Sequence, residues 1–335
     1  MARQILTTVV GSYPIPDWLG AFPTRQALRD AMMTVLKTQE LAGIDVVTDG
    51  ELARFDINHP ETNGMIDYFI KPLQNVRASI GRADEIRWSE LEYMKFRSRP
   101  AAVVEGQLGE GTLNLPLDFQ NARALTTKPL KFTITSPYML ARTLLDKHYK
   151  TKQALVTAIS DILAGQVAQI DADIVQVDEA NLTGSPEDGP WVAEALNRIF
   201  GAVTGKAAIH LCFGNYGGQS IQKGHWGQLI NFINALQIDH VVAEIAFRGQ
   251  QELMHFRDLR PEIGLGLGVI NVKSTIVETP DQVARAIDSA EKIVGKDRIT
   301  YVHPDCGFWM LKRNIVDAKM AALVKGRDMF MGQQR

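Results

Sequence analysis

Eight short runs of β-branched and apolar residues recur along the chain, and most are separated by longer stretches of helical periodicity. This alternation is the pattern of parallel strands joined by crossover helices. Eight strands are the number that a closed barrel requires. We therefore predict an α/β fold, a TIM-type (β/α)8 barrel. The predicted strands span residues 5–10, 44–48, 131–135, 174–177, 207–211, 241–245, 264–269 and 299–303.

Helix-forming segments lie between these strands, and each is long enough to cross back over a sheet. The stretch 53–128 breaks the rhythm, being charged and irregular, with one short strand predicted at 101–105 and a glycine-rich turn at 106–111. We predict a single domain over residues 1–335, in which this insertion after the second strand covers one mouth of the barrel. The predicted helices span residues 25–41, 152–169, 191–200, 226–236 and 281–293.

Composition narrows the class of partner. The 335 residues are 45% hydrophobic, and the formal net charge is -2. Positively and negatively charged residues are interspersed along the chain, without a cluster of lysines and arginines. Nucleic acid and anionic membranes are therefore poor partners, and small-molecule substrates are expected. The apolar run at the amino terminus is too short and too polar for the hydrophobic region of a signal peptide, which predicts a cytoplasmic location.

Polar or small residues follow nearly every predicted strand. In a barrel of parallel strands, the carboxyl ends of the strands meet at one face, where catalytic groups lie on the following loops. The sequence therefore predicts a single polar mouth. The residues at these strand ends are Gly11, Ser12, Asp49, Glu51, Ser136, Asp178, Glu179, His210, Cys212, Glu244, Asn271, His303, Asp305 and Cys306.

Both cysteines of the chain lie at this mouth. His210 and Cys212 are two residues apart in a strand end, so their side chains point the same way and can bind one ion. Glu244 and Cys306 end two later strands, and zinc accepts this mixture of nitrogen, oxygen and sulfur ligands. The alternative is that both thiols and the histidine are buried core residues. Spacing alone leaves the two interpretations open.

Three motifs at these residues resemble the catalytic barrel of the cobalamin-independent methionine synthase family. They are HLCFGNY at His210, VVAEIAFRG around Glu244 and HPDCGF ending at Phe308, and they occur in the family's order. The resemblance implies a zinc cofactor bound by His210, Cys212, Glu244 and Cys306. It also implies a methyltransferase of methionine biosynthesis whose catalytic core stands alone.

The same resemblance implies a site for the amino-acid part of homocysteine. TTVVGSYP places Val10, Gly11 and Ser12 where the family binds the substrate carboxylate, and backbone amides in such a turn suit an anion. Glu51 in VVTDGELAR and Asp178 in IVQVDEANL fall where the family binds the ammonium. The alternative is that both carboxylates cap helices or pair with arginines of the barrel.

Two departures from the family pattern concern the methyl donor. Lys273 stands where the family has a proton-transferring histidine, and Thr143 stands where it offers a tryptophan to the pterin. Lys273 and Asp305 are the predicted proton donors, with His303 and Tyr138 as further candidates. The family default, 5-methyltetrahydrofolate, is the expected donor, and a methylated corrinoid is the alternative.

The predicted reaction is methyl transfer to homocysteine, with the thiol activated as zinc thiolate, to form methionine. A thiol bound to zinc is deprotonated, so the metal supplies the nucleophile without a separate base. One alternative is alkylation of a different thiol by the same mechanism. Another is a non-catalytic barrel in which zinc only joins strands. A protein that delivers the methyl group is left open as a partner.

Overall fold

The structure, a computed structural model, describes residues 4–91, 97–215 and 219–332. In these residues the strands form a seven-stranded sheet, whose neighbouring strands all run parallel, and a three-stranded sheet. The strands are β1 (Leu6–Thr7), β2 (Gln74–Arg77), β3 (Ala102–Gly109), β4 (Lys131–Thr135), β5 (Leu144–Asp146), β6 (Ile174–Glu179), β7 (Lys206–Leu211), β8 (His240–Ala243), β9 (Gly264–Ile270) and β10 (Ile299–Pro304).

The large sheet has the order β1-β10-β9-β8-β7-β6-β4, and residues 44–48 connect its two ends. Predicted as the second strand, this segment pairs only through single parallel bridges, from Thr8 to Val46 and from Val47 to Leu130. These bridges complete the ring of eight strand positions that the alternating pattern predicts. The fold class, a TIM-type α/β barrel, is confirmed.

Helices cover the outside of the ring. The helix Pro280–Val294 begins with a capping box, in which the Thr279 N–H donates to Gln282 Oε1 at 2.8 Å and the Gln282 N–H donates to Thr279 Oγ1 at 3.2 Å. The α-helices are α1 (Asp17–Ala21), α2 (Arg25–Ala42), α3 (Asp67–Ile70), α4 (Arg82–Ser89), α5 (Leu115–Arg123), α6 (Pro137–Arg142), α7 (Lys152–Val167), α8 (Gly189–Phe200), α9 (Ile230–Ala235), α10 (Pro280–Val294) and α11 (Arg313–Phe330).

One helix prediction needs correction, and one long helix was not predicted. The helix predicted at 226–236 is a 3-10 turn, Trp226–Gln228, followed by α9. Trp226 is fully buried and its indole N–H donates to the Glu244 carbonyl at 3.1 Å, so tertiary contacts fix that turn. The second case is α11, which was not predicted. Its buried face includes the charged Lys319 and Arg327, and these residues obscure the apolar periodicity.

The segment 53–128 contributes β2 and β3 to the smaller sheet. There, β3 pairs antiparallel with β2 and parallel with β5. The strand predicted at 101–105 is present, but the turn predicted at 106–111 is wrong, because β3 continues to Gly109. Only the end of that stretch turns, at Gly111, whose φ is 58°. That this segment covers one mouth of a single domain stays a prediction.

Among the residues described, none of the helices combines the length and the apolar character needed to cross a membrane. The cytoplasmic location stays a prediction.

Candidate functional site

His210, Cys212 and Cys306 meet at the carboxyl edge of the barrel. His210 lies in β7, Cys212 follows that strand directly, and Cys306 lies two residues beyond β10. Their potential ligand atoms all lie within 4.8 Å of one another. His210 and Cys212 are buried, while Cys306 is partly exposed. We call these residues the His-Cys-Cys group.

The hydrogen bonding of His210 leaves one ring nitrogen available for a ligand. Its Nδ1 lies 3.1 Å from the Val242 carbonyl, whereas its Nε2 is buried without a hydrogen-bond partner. A backbone partner on one nitrogen and a metal on the other is the usual arrangement of a metal-binding histidine. The unpartnered Nε2 and the two adjacent thiols therefore suit zinc, which prefers nitrogen and sulfur donors.

Electrostatics at the His-Cys-Cys group favour positive charge. Burial opposes protonation of His210, but its neighbours together, Cys212 first and then Asp178 and the Val242 carbonyl, raise the pKa of His210 to about 9. Hydrogen bonding to Cys306 and burial raise the pKa of the Cys212 thiol well above its ordinary value, so Cys212 resists ionisation in this position. A divalent cation removes that obstacle, because it stabilises both thiolates.

Glu244, the fourth predicted ligand, lies outside this group. It follows β8, and its carboxylate is fully buried. Its Oε1 forms an ion pair with the ammonium of Lys273, and its Oε2 accepts a hydrogen bond from the Phe213 N–H at 2.7 Å. Phe213 directly follows Cys212, so the carboxylate is held beside the His-Cys-Cys group rather than within it.

Asp305, one of the two predicted proton donors, is bound to the backbone of the loop after β8. Its carboxylate accepts hydrogen bonds from the N–H groups of Ile245, Ala246 and Phe247 at 2.9, 2.8 and 2.7 Å. Burial and the nearby Glu244 raise the pKa of Asp305 to about 7, although these hydrogen bonds act in the opposite direction. Asp305 thus joins the loop that carries Glu244 to the segment that carries Cys306.

Glu51 lies against Gly11, as two neighbours in the predicted homocysteine site would. A Cβ atom on Gly11 would overlap Glu51 Oε1, so the close approach requires glycine. The Glu51 carboxylate accepts a hydrogen bond from Thr133 Oγ1 at 3.0 Å and pairs with Arg54 at 3.2 Å. Glu51 itself has a φ of 60°, an unfavourable conformation for a non-glycine residue that is often found at functional sites.

Asp178, at the end of β6, is buried beside Glu51. Its Oδ1 accepts a hydrogen bond from Gln176 Nε2 at 2.7 Å, and Gln176 Oε1 accepts one from Lys131 Nζ at 2.8 Å. Burial and the charge of Glu51 raise the pKa of Asp178. Two carboxylates that repel each other in this way provide a favourable site for an ammonium group.

The segment from Val10 to Ser12 is fixed through its backbone carbonyls. The Val10 carbonyl accepts from Gln176 Nε2 at 3.0 Å, the Gly11 carbonyl accepts from Thr48 Oγ1 at 2.9 Å, and the Ser12 carbonyl accepts from the Phe308 N–H at 2.9 Å. These contacts link the segment to β6 and to the chain after Cys306. The predicted carboxylate site and the His-Cys-Cys group are therefore parts of one edge.

Two further candidates for the proton donor lie in different surroundings. Burial lowers the pKa of His303 to about 3, and its Nδ1 lies 2.7 Å from the Pro304 carbonyl. Tyr138 donates to Asp188 at 2.6 Å, and burial raises its pKa. Neither contact is with the His-Cys-Cys group.

Three residues that hold Glu51 and Asp178 in place were not predicted from the sequence: Arg54, Lys131 and Gln176. Arg54 lies three residues after Glu51, a spacing that brings side chains together in a helical turn. Lys131 and Gln176 occupy buried positions within strands that were read as apolar. Lys131, the first residue of the KFTIT strand, was the signal available in the sequence. A buried lysine in a barrel strand needs a polar partner, which predicts a polar residue on a neighbouring strand.

Comparisons with known proteins show which family this chain resembles. A family model described as the cobalamin-independent synthase catalytic domain matches residues 5–328. A methionine synthase from Thermococcus kodakarensis is 30% identical over 338 residues, which cover 96% of this chain and 91% of that protein. A methionine synthase from Sulfurisphaera tokodaii is 28% identical over 337 residues, covering 96% and 90%.

A solved structure shares the fold. A B12-independent methionine synthase from Shewanella sp. W3-18-1, in complex with selenomethionine, superposes with a TM-score of 0.83 over 98% of each chain, at 23% identity. The match of the family model to nearly the whole barrel settles the relationship. The chain therefore belongs to the cobalamin-independent methionine synthase family and is a methyltransferase.

Proposed function

We propose that this protein is a zinc-dependent homocysteine S-methyltransferase that forms methionine. The observation that carries the proposal is the His-Cys-Cys group, with its unpartnered His210 Nε2 at the carboxyl edge of the barrel. The names of the relatives, methionine synthases from Thermococcus kodakarensis and Sulfurisphaera tokodaii, support methionine as the product.

His210, Cys212 and Cys306 would hold zinc, with Glu244 as a fourth, exchangeable ligand. When bound there, zinc lowers the pKa of the homocysteine thiol, so that the substrate reacts as a thiolate. Two cysteine ligands keep this position electron-rich, which preserves the nucleophilicity of the sulfur. Glu244 is the hardest of the four donors and already has a second partner in Lys273. It is therefore the ligand that the homocysteine thiolate would displace.

Glu51 and Asp178 would bind the homocysteine ammonium, and backbone groups of Gly11 and Ser12 would bind its carboxylate. Arg54 neutralises part of the Glu51 charge and, with Thr133, fixes its orientation. Gln176 donates a hydrogen bond to Asp178 and so fixes the orientation of that carboxylate. Holding the amino-acid end at β1 and β6 directs the thiol toward β7 and β10, where the His-Cys-Cys group lies.

The proposed methyl donor is 5-methyltetrahydrofolate. Its methyl group leaves a tertiary amine, and this nitrogen must gain a proton as the bond breaks. Lys273, whose side chain is only 2% exposed and lies beside Glu244, and Asp305 are the proposed sources of that proton. The matching family model is described as cobalamin-independent, which favours a donor other than a methylated corrinoid.

The test is methionine formation by the purified, zinc-loaded protein. Homocysteine is supplied with either 5-methyltetrahydrofolate or methylcobalamin, and methionine is quantified by mass spectrometry. We expect turnover with the folate, and a loss of at least about a hundredfold in Cys306→Ser, since even the partners of metal ligands are worth about 10- to 100-fold. His148→Gln, at an exposed position, is the matched control.

Turnover with methylcobalamin alone would contradict the donor but keep homocysteine as the acceptor. Absence of methionine with both donors would contradict the proposed function.

A further inference from the structure

The ion pair between Lys273 and Glu244 is buried on both sides. The Lys273 side chain is 2% exposed and that of Glu244 is 0% exposed. An isolated buried carboxylate is strongly unfavourable, so Glu244 requires a positive partner wherever it lies. In this structure the partner is the Lys273 ammonium, and the Phe213 N–H binds the second carboxylate oxygen at 2.7 Å.

Lys273 is itself fixed from several directions. Its Nζ lies 3.1 Å from Ser220 Oγ and 4.4 Å from the centroid of the Phe247 ring. Its backbone N–H donates to Asn271 Oδ1 at 2.8 Å. The ammonium is therefore held at one position, and it defines a place for the Glu244 carboxylate beside the His-Cys-Cys group. We call this place the Lys273-bound position.

A carboxylate with two places to bind distributes between them according to their relative free energies. Glu244 is the proposed fourth zinc ligand, and the Lys273-bound position competes with that role. Without Lys273, a Glu244 that leaves the metal would be a buried, unpaired charge. The substrate thiol would then have to displace a ligand with no favourable place to go.

We propose that Lys273 is a positioning residue that draws Glu244 away from the metal and so opens the fourth coordination position to homocysteine. This inference rests on the proposed function and adds to it the control of ligand exchange. It assigns to Lys273 a role that does not depend on proton transfer.

A second role for the same contact predicts the opposite result. A residue that supports a metal ligand from outside strengthens metal binding, and its removal weakens that binding by about 10- to 100-fold. A residue that competes for the ligand weakens metal binding, and its removal strengthens it. The direction of the change in zinc affinity therefore distinguishes the two roles.

The experiment measures zinc affinity by chelator competition, and homocysteine affinity of the zinc-loaded protein by calorimetry. We expect Lys273→Met to bind zinc about tenfold more tightly and homocysteine about tenfold more weakly. Lys273→Arg keeps the charge and is expected to remain close to the original protein. Lys292→Met, which removes an exposed lysine paired with Asp288, is the matched control.

A double-mutant cycle isolates the interaction. In a Glu244→Gln background, Lys273→Met is expected to change neither affinity, because the competing carboxylate is gone. Near-UV circular dichroism checks that each variant is folded. Lys273→Gln, which keeps a polar group near Ser220, replaces Lys273→Met if the latter does not fold.

Weaker or unchanged zinc binding in folded Lys273→Met would overturn the inference, and so would an undiminished effect in the Glu244→Gln background. A protein that binds no zinc, or whose zinc does not respond to homocysteine, would instead contradict the proposed function. The two failures are therefore distinguishable.

Discussion

At the scale of single residues, the proposed homocysteine site contains one close approach. Gly11 lies against the Glu51 carboxylate, and a Cβ atom there would overlap Oε1. Because Thr133 and Arg54 hold that carboxylate, it cannot move aside without losing these partners. Glycine at this position therefore allows the Glu51 carboxylate to lie where the proposed ammonium site needs it.

Replacing Gly11 with alanine is expected to displace Glu51 and raise the KM for homocysteine on the order of tenfold, since small displacements of binding groups are costly. The zinc content of Gly11→Ala is expected to stay unchanged. Gly20→Ala is the matched control, because a Cβ atom on Gly20 would have no neighbour within 4 Å. An unchanged KM in Gly11→Ala would contradict the role given to Glu51.

The hydrogen bonds of Asp305 predict an effect on stability. Because it accepts three backbone N–H groups, Asp305→Asn is expected to lower the free energy of unfolding by about 2 kcal/mol, measured by urea denaturation. Asp288→Asn, at an exposed ion pair, is the control. A residue that acts solely as a proton donor would leave stability unchanged and alter only the pH profile of turnover.

At the scale of elements, one carboxylate links α4 to the smaller sheet. Asp84, in the first turn of α4, binds the Gly81 N–H at 3.0 Å, Arg77 of β2 at 3.1 Å and Lys147, just after β5, at 2.5 Å. The hydrogen bond from Lys147 contributes most to the lowered pKa of Asp84. One side chain therefore connects the helix to both outer strands of this sheet.

A lowered pKa in the folded state means that Asp84 stabilises the protein above the ordinary pKa of an aspartate. This contribution is lost as the pH falls through the folded-state value. Asp84→Asn is therefore expected to lower the melting temperature by a few degrees at pH 7, and the difference should shrink below pH 4. Asp161→Asn, at an exposed pair with Arg198, should have little effect at either pH. A pH-independent difference would contradict this account.

The elements also show how far sequence reasoning reaches. The carboxyl ends of the strands were predictable, because β-branched runs followed by polar residues mark them, and β4 has the predicted limits, 131–135. The second strand was predicted at 44–48, but its pairing through single bridges instead of a full ladder was not. The helix α11 was not predictable, because its buried charged residues interrupt the apolar periodicity. The Lys273–Glu244 pair joins residues 29 apart through side-chain conformations that no local pattern encodes.

At the scale of the whole molecule, the barrel brings residues from distant parts of the chain to one edge. Glu51, Asp178, His210, Glu244 and Cys306 all follow or end different strand positions. The ring places the carboxylates of Glu51 and Asp178 beside β1 and β6, and the sulfurs of Cys212 and Cys306 after β7 and β10. This division explains how one small substrate would be held at its amino-acid end and activated at its thiol.

The central claim is that homocysteine binds through its sulfur to a metal in the His-Cys-Cys group. The most direct test is the zinc content of the purified protein, together with the zinc-edge X-ray absorption spectrum with and without homocysteine. We predict near-stoichiometric zinc with two sulfur ligands, and a third sulfur in place of an oxygen when homocysteine is added. A protein without zinc, or a spectrum that does not change with homocysteine, would contradict it.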